Sequence, residues 1–493
     1  MFSDPIRTPF EVGEWEGMDA GRRLSLIVAT TLFIETMDST AIATSLPVIA
    51  EDLGTEPIAL KLALTAYLLA LAVFIPVSGW VADRFGAKRT FMLAIGVFLL
   101  GSLACAASAS LEQLVAARFL QGMGGALMVP VGRLVLLRTV PKNELVQALS
   151  WLTIPALVAP ILGPPIGGFI ATYSDWRWIF LINIPMGLVG IALAWRYVPD
   201  LREAVKPLDW TGFALSGLGL ALALFGFSTL GRHLVSTPVA LATLVVGVAA
   251  MLAYVWHARR HPHPLIDLGL LRLPTFRAGV VGGMLFRIGI GATPFLLPLM
   301  LQLGFGLTPL QSGLLTFVSA VGAIFMKTMA AAVLRRFGFR RVLWINALLA
   351  SAMLAGFGLF RADTAHWVIM AVLLVSGCFR SLQFTSLNAI SYAEVDQARM
   401  GQASSLSGML QQFSLALGVA IGGYALQVAG SFTGQDYADP ANFGWAFLTV
   451  GVISALSAWM MFRLPHDAGA EMAGRAEVGK EVSEQKAEQR SGT

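Results

Sequence analysis

Two acidic residues lie inside a long apolar stretch near the start of the chain. Glu35 and Asp38 belong to the segment LFIETMDSTAIATSLP, residues 32–47, within an apolar window that runs from 24 to about 50. At 1.5 Å per residue they lie roughly 18–24 Å along that window, inside a hydrocarbon layer about 30 Å thick. Their spacing of three puts both carboxylates on one helix face. Because an ionised carboxylate in lipid costs about 2.5 kcal/mol or more, these acids must face protein or water.

The residues alone leave two interpretations of these acids open. In one, they pair with a buried arginine and hold helices together. In the other, they bind protons or a cationic substrate, since intramembrane acids often mark ion pathways. Arg118, with Gln121 one turn away on the same helix face, lies deep enough in another apolar window to need a partner. We expect Arg118 to promote proton release from Asp38 or Glu35 if their helices approach each other.

The composition is that of a membrane protein with many spans. Of the 493 residues, 56% are hydrophobic and only 13% are charged, whereas soluble proteins carry about 25% charged residues. The net charge of +5 does not indicate a nucleic-acid partner, because the bases lie mainly in loops between apolar windows. Cys105 and Cys378 both lie in such windows and are expected to be packing residues, and no metal site is predicted.

Fourteen windows have the length of a membrane-spanning helix, which predicts an all-α protein with both ends on one side. Most of the 34 lysine and arginine residues fall in the loops and tails on the side of the N-terminus. By the positive-inside rule that side is cytoplasmic. The predicted spans are 24–50, 60–82, 90–109, 113–137, 147–172, 178–198, 209–230, 237–257, 277–303, 308–333, 341–360, 365–392, 402–430 and 443–463.

An internal repeat divides these spans into two blocks of six. The first loop of the repeat reads GWVADRFGAKR, residues 79–89, and its second copy reads AAVLRRFGFRR, residues 331–341. A weaker echo relates RFLQ at 118–121 to RSLQ at 380–383. Such repeats imply a substrate site near the midplane, between two halves related about an axis along the membrane normal. The predicted parts are a tail at 1–23, halves at 24–198 and 277–463, linkers with two inserted spans at 199–276, and a disordered tail at 464–493.

These segments resemble a known transporter family. The loop at 79–89 is similar to the loop signature of the major facilitator superfamily. The segments MDSTAIATSLP (37–47), RFLQGMGGA (118–126), ILGPPIGG (161–168) and WRWIFLINIPMG (176–187) resemble the fourteen-helix drug:proton antiporter branch, and within it the MdtD-like multidrug transporters. The loop matches at Gly79, Asp83, Arg84, Gly86, Lys88 and Arg89.

The resemblance assigns roles to the loop and to the fifth span. Asp83 is expected to meet the start of the thirteenth span near 401–404 and to latch the cytoplasmic side in one state, as helix N-termini favour acids. The glycines of the fifth span predict a surface for close helix packing, and its prolines predict a bend. The resemblance implies that this span seals one side during antiport. Its candidate residues are Pro160, Gly163, Pro164, Gly167 and Gly168.

The function expected from the residues and the resemblance is export of lipophilic compounds in exchange for protons. Proton coupling is assigned to Asp38, Glu35 and Arg118, with no cofactor beyond the proton motive force, and the expected partners are lipophilic small molecules, protons and the lipid bilayer. The protein is predicted to be a monomer of the bacterial inner membrane. Candidate cavity residues are Thr40, Gln121, Arg287, Gln302, Gln383, Asn388 and Gln411.

Other functions remain open. The same fold suits a proton-coupled importer or exporter of one metabolite, since fold does not fix substrate. A membrane sensor or assembly subunit that transports nothing is a further alternative. No cofactor motif or set of nucleophile and base indicates an enzyme.

Overall fold

The computed structural model describes residues 20–140, 145–203, 207–230, 235–434 and 436–472, and these residues form helices joined by turns, with no β-strand among them. One helix occurs for each predicted span, so the predicted all-α membrane fold is confirmed. The helices are α1 Gly21–Thr44, α2 Pro57–Phe85, α3 Ala87–Ala106, α4 Leu111–Thr139, α5 Leu145–Tyr173, α6 Trp178–Tyr197, α7 Trp210–Thr229, α8 Thr237–Ala258, α9 Pro274–Gly304, α10 Pro309–Phe337, α11 Phe339–Leu359, α12 His366–Ser391, α13 Met400–Thr433 and α14 Pro440–Phe462.

The repeated loop has the same backbone in both copies. Gly86 ends α2 and Gly338 ends α10, with φ of +95° and +78°, and the next helix begins at the following residue in each case. Glycine adopts positive φ without the strain that a side chain would add. The Arg-Phe-Gly register found in the sequence is therefore a shared helix–turn–helix geometry.

The helices pack mainly within two groups. Helices α1 to α6 contact one another, as do α9 to α14, and the principal contacts between the groups join α5 to α10 and α2 to α13. Helices α7 and α8 pack against each other, and α7 also contacts α2 and α13. The inserted pair thus lies beside one seam between the two groups.

The side of the membrane away from the chain ends is closed by direct contacts across both seams between the two groups. Gln302 Nε2 donates to the carbonyl of Thr44 at 2.9 Å, and the backbone N–H of Leu310 donates to Thr172 Oγ1 at 3.1 Å. Lys61 Nζ lies 3.3 Å from Gln427 Oε1, joining α2 to α13. We call this the closed side; the positive-inside rule predicts that it is periplasmic.

The first residues of the predicted C-terminal tail contact the helices. Leu464 is buried and Ala468 packs in the same apolar cluster against α11, while Arg340 donates to the carbonyl of Phe462 at 3.0 Å. Apolar contacts therefore hold Leu464 and Ala468 against α11, whereas Met472 is exposed. The rest of that tail and residues 1–19 of the predicted N-terminal tail lie outside the described residues.

Candidate functional site

Asp38 is the centre of a fully buried polar cluster. Arg118 Nη1 of α4 lies 2.5 Å from Asp38 Oδ2. Gln121 Nε2, also of α4, donates to Asp38 Oδ1 at 2.9 Å, and Asn183 Nδ2 of α6 donates to the same oxygen at 2.7 Å. Ser102 Oγ of α3 accepts from Gln121 at 2.8 Å. Three donors on two oxygens suit a carboxylate that carries no proton, and four helices contribute to the arrangement.

Aromatic rings enclose the arginine of this cluster. The Arg118 guanidinium carbon lies 4.4 Å from the centre of the Tyr67 ring and 5.7 Å from that of Phe180. Both distances suit a cation–π interaction, which is strong where water is excluded. The rings therefore help to hold a charge that α4 carries into the protein interior.

The sequence reasoning identified Asp38, Arg118 and Gln121 but missed Asn183. The only signal for Asn183 was an amide within the otherwise apolar run WIFLINIP, inside a segment already noted for its resemblance. Buried amides need hydrogen-bond partners, so a lone asparagine at that depth could have been added to the candidates.

Glu35 lies on the same helix as Asp38 but outside this cluster. Its carboxylate is buried beside the hydroxyl of Tyr67, with which it interacts. Both residues line a large cavity. The structure thus separates the two acids: Asp38 is paired and enclosed, whereas Glu35 borders open space.

Two connected cavities lie between the helix groups. The larger, which we call the vestibule, has a volume of about 1180 Å³ and runs from Glu35 and Pro160 to Gly79 and Gly401 at the predicted cytoplasmic ends of α2 and α13. The smaller, which we call the inner chamber, has a volume of about 320 Å³ and a mostly apolar lining. Residues shared by both linings, Ser39, Tyr67, Leu68, Pro160, Ile290, Ala320, Arg380 and Leu415, form the junction.

Only two of the predicted cavity residues line these cavities: Thr40 borders the inner chamber and Gln411 the vestibule. The other five lie elsewhere because each has a partner in the packed interior. Gln121 bonds to Asp38, and Gln302 to a backbone carbonyl. Arg287 donates to Asn388 at 3.0 Å, and Gln383 accepts from Asn346 at 2.9 Å. In this state Gln121, Arg287, Gln302, Gln383 and Asn388 line neither of the two cavities, and their contact with substrate stays a prediction.

Bases are more numerous than acids on the vestibule wall. Arg133 of α4, Lys327 of α10 and Arg380 of α12 line it, and Glu35 is the one acid among its lining residues. Within the described part of the chain, no carboxylate forms an ion pair with any of the three bases.

The predicted gating loop forms contacts within its own helix group. Asp83 Oδ1 accepts from Arg138 Nη1 of α4 at 2.7 Å, and Arg138 also lies 3.2 Å from Glu203. Arg84 and Arg89 are exposed and Lys88 is half-buried. The expected contact of Asp83 with the start of α13 is therefore not the one made in this state, in which the vestibule lies between Gly79 and α13.

The glycines of α5 allow two close helix contacts. A Cβ atom on Gly163 would overlap Thr40, and one on Gly167 would overlap the carbonyl of Ala41, both on α1. A Cβ on Gly168 would overlap the carbonyl of Pro309 at the start of α10. The α5 backbone therefore lies directly against both helix groups on the closed side. Pro160 and Pro164 line the inner chamber within a helix that continues to Tyr173.

Three side chains at the α7–α8 pair resemble a metal site but are bonded to one another and to the backbone. Asp209 accepts from the His257 ring at 2.8 Å and from the backbone N–H groups of Gly212 and Leu265. The pKa of Asp209 is lowered, because these donors outweigh burial, which raises it. His261 Nδ1 accepts from the backbone N–H of His263. The contact between Asp209 and His257 joins the end of α8 to the start of α7.

The chain matches the family model described as Major Facilitator Superfamily over residues 28–271 and 279–488. It is 38% identical over 450 residues to a protein of Cronobacter sakazakii and 37% identical over 447 residues to one of Pectobacterium atrosepticum, covering 90% of this chain and 94% and 95% of those proteins. Both are named MdtD and are provisionally described as multidrug resistance proteins.

Solved structures of transporters share the fold at low sequence identity. A D-xylose–proton symporter superposes with a TM-score of 0.65 at 14% identity, over 91% of this chain and 98% of its own. A POT family transporter superposes with a TM-score of 0.65 at 16% identity, over 88% and 94%. The family match, these folds and a cavity between two helix groups agree, and the chain belongs to the major facilitator superfamily of membrane transporters.

Proposed function

We propose that this protein exports lipophilic small molecules across the bacterial inner membrane in exchange for protons. The observation that carries the proposal is the buried pair of Asp38 and Arg118, which joins α1 to α4 at the wall of the inner chamber, where Arg118 is a lining residue. The names of the MdtD relatives support a drug-like substrate. Both termini are assigned to the cytoplasm by the distribution of lysine and arginine.

The proton acts on this pair. Protonation of Asp38 removes the charge that Arg118 requires, and breaking a buried ion pair at one partner costs about 3–5 kcal/mol. That cost is large enough to change the preferred arrangement of α1 against α4. Substrate in the cavity and a proton on Asp38 then favour different states of the transporter, which couples their movements in both directions.

Glu35 connects the pair to water. It lies one turn before Asp38 and borders the vestibule, while Asp38 is enclosed. In the state open to the predicted cytoplasm, a proton that leaves Asp38 passes along this helix face to Glu35 and then into the vestibule. This assigns Asp38 to the coupling step and Glu35 to proton exchange with the aqueous side.

The test uses everted membrane vesicles that are energised by respiration and contain a fluorescent reporter of the acidic lumen. Addition of an exported compound should release lumenal protons and restore the fluorescence. Asp38→Asn should abolish the signal, and Glu35→Gln should slow it. Asp363→Asn, which removes an exposed acid outside both cavities, is the matched control and should leave the signal intact.

Two results would contradict this function. Proton release that persists in Asp38→Asn at the wild-type rate would exclude Asp38 as the coupling group. Transport of a labelled compound with no proton movement would exclude antiport and leave a transporter with another driving force. A dedicated metabolite carrier would be indicated if none of a panel of lipophilic compounds bound to the purified protein.

A further inference from the structure

We infer that the cavity selects amphipathic organic anions, with the apolar part of the ligand in the inner chamber and its acidic group among the bases of the vestibule. This inference rests on the proposed transport function and adds the substrate class. Three bases and one acid line the vestibule, and the acid Asp38 is already neutralised by Arg118. The cavity that receives substrate therefore has an excess of positive charge.

The two helix groups differ at equivalent places in the repeat. In the first, Arg118 is paired with Asp38 and is 1% exposed. In the second, Arg380 begins the corresponding RSLQ segment and opens onto both cavities. Helix α9 opens the second group as α1 opens the first, but it contains no aspartate or glutamate. Arg118 of the first group therefore has an acidic partner. Arg380, its counterpart in the second group, has none among the described residues.

Arg380 also lies at the right depth to orient a ligand. It is eleven residues from the end of α12 at Ser391, or roughly 16 Å along the helix, so it lies near the middle of the bilayer. It borders the junction with the inner chamber, whose wall includes Phe286, Leu297 and Leu354. A ligand with its apolar part against these side chains would carry its acidic group next to the guanidinium.

Lys327 lies at about the same depth as Arg380, and Arg133 lies nearer the vestibule mouth. Lys327 is ten residues before α10 ends at Phe337, whereas Arg133 is closer to the end of α4 at Thr139. Guanidinium and ammonium groups that face a cavity bind carboxylates, sulfonates and phosphates through charge-assisted hydrogen bonds. Glu35 is the one vestibule acid that opposes this preference, and it loses its charge when it takes a proton.

A different explanation for these bases is orientation in the membrane, because positive residues accumulate on the cytoplasmic side whatever a transporter carries. If orientation were the whole explanation, Lys327 and Arg335, which lie on the same helix, would have the same effect on ligand binding. We expect different effects, since Lys327 lines the vestibule and Arg335 is exposed and is not among its lining residues.

The experiment measures binding of three dansyl-labelled probes to the purified full chain in a neutral detergent at low ionic strength. One probe carries an aliphatic carboxylate, the second its neutral methylamide and the third the matching primary amine. We expect the carboxylate to bind about ten-fold or more tightly than the amine, as hydrogen bonds between charged groups contribute more than neutral ones. This preference should decline as salt is added.

Variants identify the residues responsible. Arg380→Gln and Lys327→Gln should each weaken carboxylate binding about five-fold or more and leave the methylamide unchanged, while Arg380→Lys should retain much of the affinity. Arg335→Gln is the matched control and should bind all three probes like wild type. If Arg380→Gln does not fold, Lys327→Gln decides the question alone.

Two outcomes would overturn the inference: amine binding as tight as carboxylate binding, or equal effects of Lys327→Gln and Arg335→Gln. Its failure is distinguishable from failure of the proposed function. Proton release driven by the neutral methylamide in everted vesicles, with no charge preference in binding, would leave antiport standing and remove the substrate class. Carboxylate preference without any substrate-driven proton movement would support the substrate class and exclude antiport.

Discussion

Asn183 is the residue through which α6 acts on the acid of α1. Its amide donates to Asp38 Oδ1 at 2.7 Å, and both side chains are fully buried. Asn183→Ala should destabilise the protein by about 1.5–3 kcal/mol, the contribution of a hydrogen bond to a charged group. It should also change proton coupling, because the remaining donors to Asp38 both come from α4. Thermal unfolding and the vesicle proton assay measure the two effects.

The matched control for this prediction is Asn346→Ala. Asn346 is also buried and donates to Gln383 and to the carbonyl of Phe379, but it lies in the second helix group away from both acids. It should lower stability and leave coupling per folded molecule unchanged. Equal losses of coupling in both variants would mean that Asn183 has only a structural role.

Tyr67 combines two features that a substitution separates. Its ring lies 4.4 Å from the Arg118 guanidinium carbon, and its hydroxyl interacts with the Glu35 carboxylate. Tyr67→Phe should keep the ring contact and lose only the hydroxyl interaction, about 0.5–1.5 kcal/mol, whereas Tyr67→Leu should in addition lose about 0.5–2 kcal/mol of cation–π interaction. Equal losses of stability in the two variants would show that the ring contact contributes nothing. Differential scanning fluorimetry in detergent is sufficient.

At the scale of elements, Asp209 connects the two inserted helices. It caps α7 through the backbone N–H of Gly212 and bonds to His257 near the end of α8. Asp209→Asn should destabilise this pair by about 1 kcal/mol near neutral pH, since asparagine keeps the cap oxygen but loses the charge that strengthens the bonds from His257, Gly212 and Leu265. The effect should be visible as a lower melting temperature.

The pH dependence of that difference follows from the lowered pKa of Asp209. A carboxyl whose pKa falls on folding stabilises the folded state fully above its unfolded pKa, about 3.9, and loses that contribution as the pH falls through the folded value. The gap in melting temperature between wild type and Asp209→Asn should thus be constant above about pH 5 and narrow in stronger acid. Asp267→Asn is the control, at a cap where the backbone N–H of Gly269 donates to the acid. A gap that widens in acid would contradict the assignment.

The helices and the repeated turn were predictable because a continuous stretch of sequence determines each of them. Apolar windows mark the spans, and the repeated Arg-Phe-Gly marks a turn that Gly86 and Gly338 both make at positive φ. Partners across the fold were not predictable, since they depend on how helices rotate against one another. Gln302 and Gln383 illustrate this limit: they have the polarity of cavity residues, but a backbone carbonyl and Asn346 occupy their hydrogen bonds.

The same limit applies to the charges. Depth in a span identified Asp38 and Arg118 as needing partners, and the structure brings the two together. Depth alone predicted that Glu35 also needs a partner, although the structure places it at the cavity wall. The two acids share a helix face, but Glu35 lies one turn nearer the predicted cytoplasmic end of α1 and borders the vestibule, whereas Asp38 lies deeper, against α4 and α6.

At the scale of the whole molecule, transport requires a second state in which the vestibule closes and the closed side opens. In the present state Asp83 is bonded to Arg138, and Gly79 and Ser404 line the vestibule on α2 and α13. Closure should bring these two positions together. Cysteines at 79 and 404, in a background with Cys105 and Cys378 replaced by alanine, should form a disulfide only in the closed state, because bridged Cβ atoms lie about 3.5–4.5 Å apart.

The yield of this disulfide in membranes should rise when a proton gradient and an exported compound drive the cycle, and the cross-linked protein should regain transport on reduction. In the closed state we expect Asp83 to leave Arg138 and to lie at the N-terminal end of α13, where a negative charge is favoured by about 0.3–1 kcal/mol. Asp83→Asn removes this charge and should lower the yield. Arg84→Gln changes the charge of the same loop at an exposed position and serves as the control. A yield that is insensitive to Asp83→Asn would show that the loop orients the protein in the membrane without latching it, and that contacts elsewhere between α2 and α13 close the vestibule.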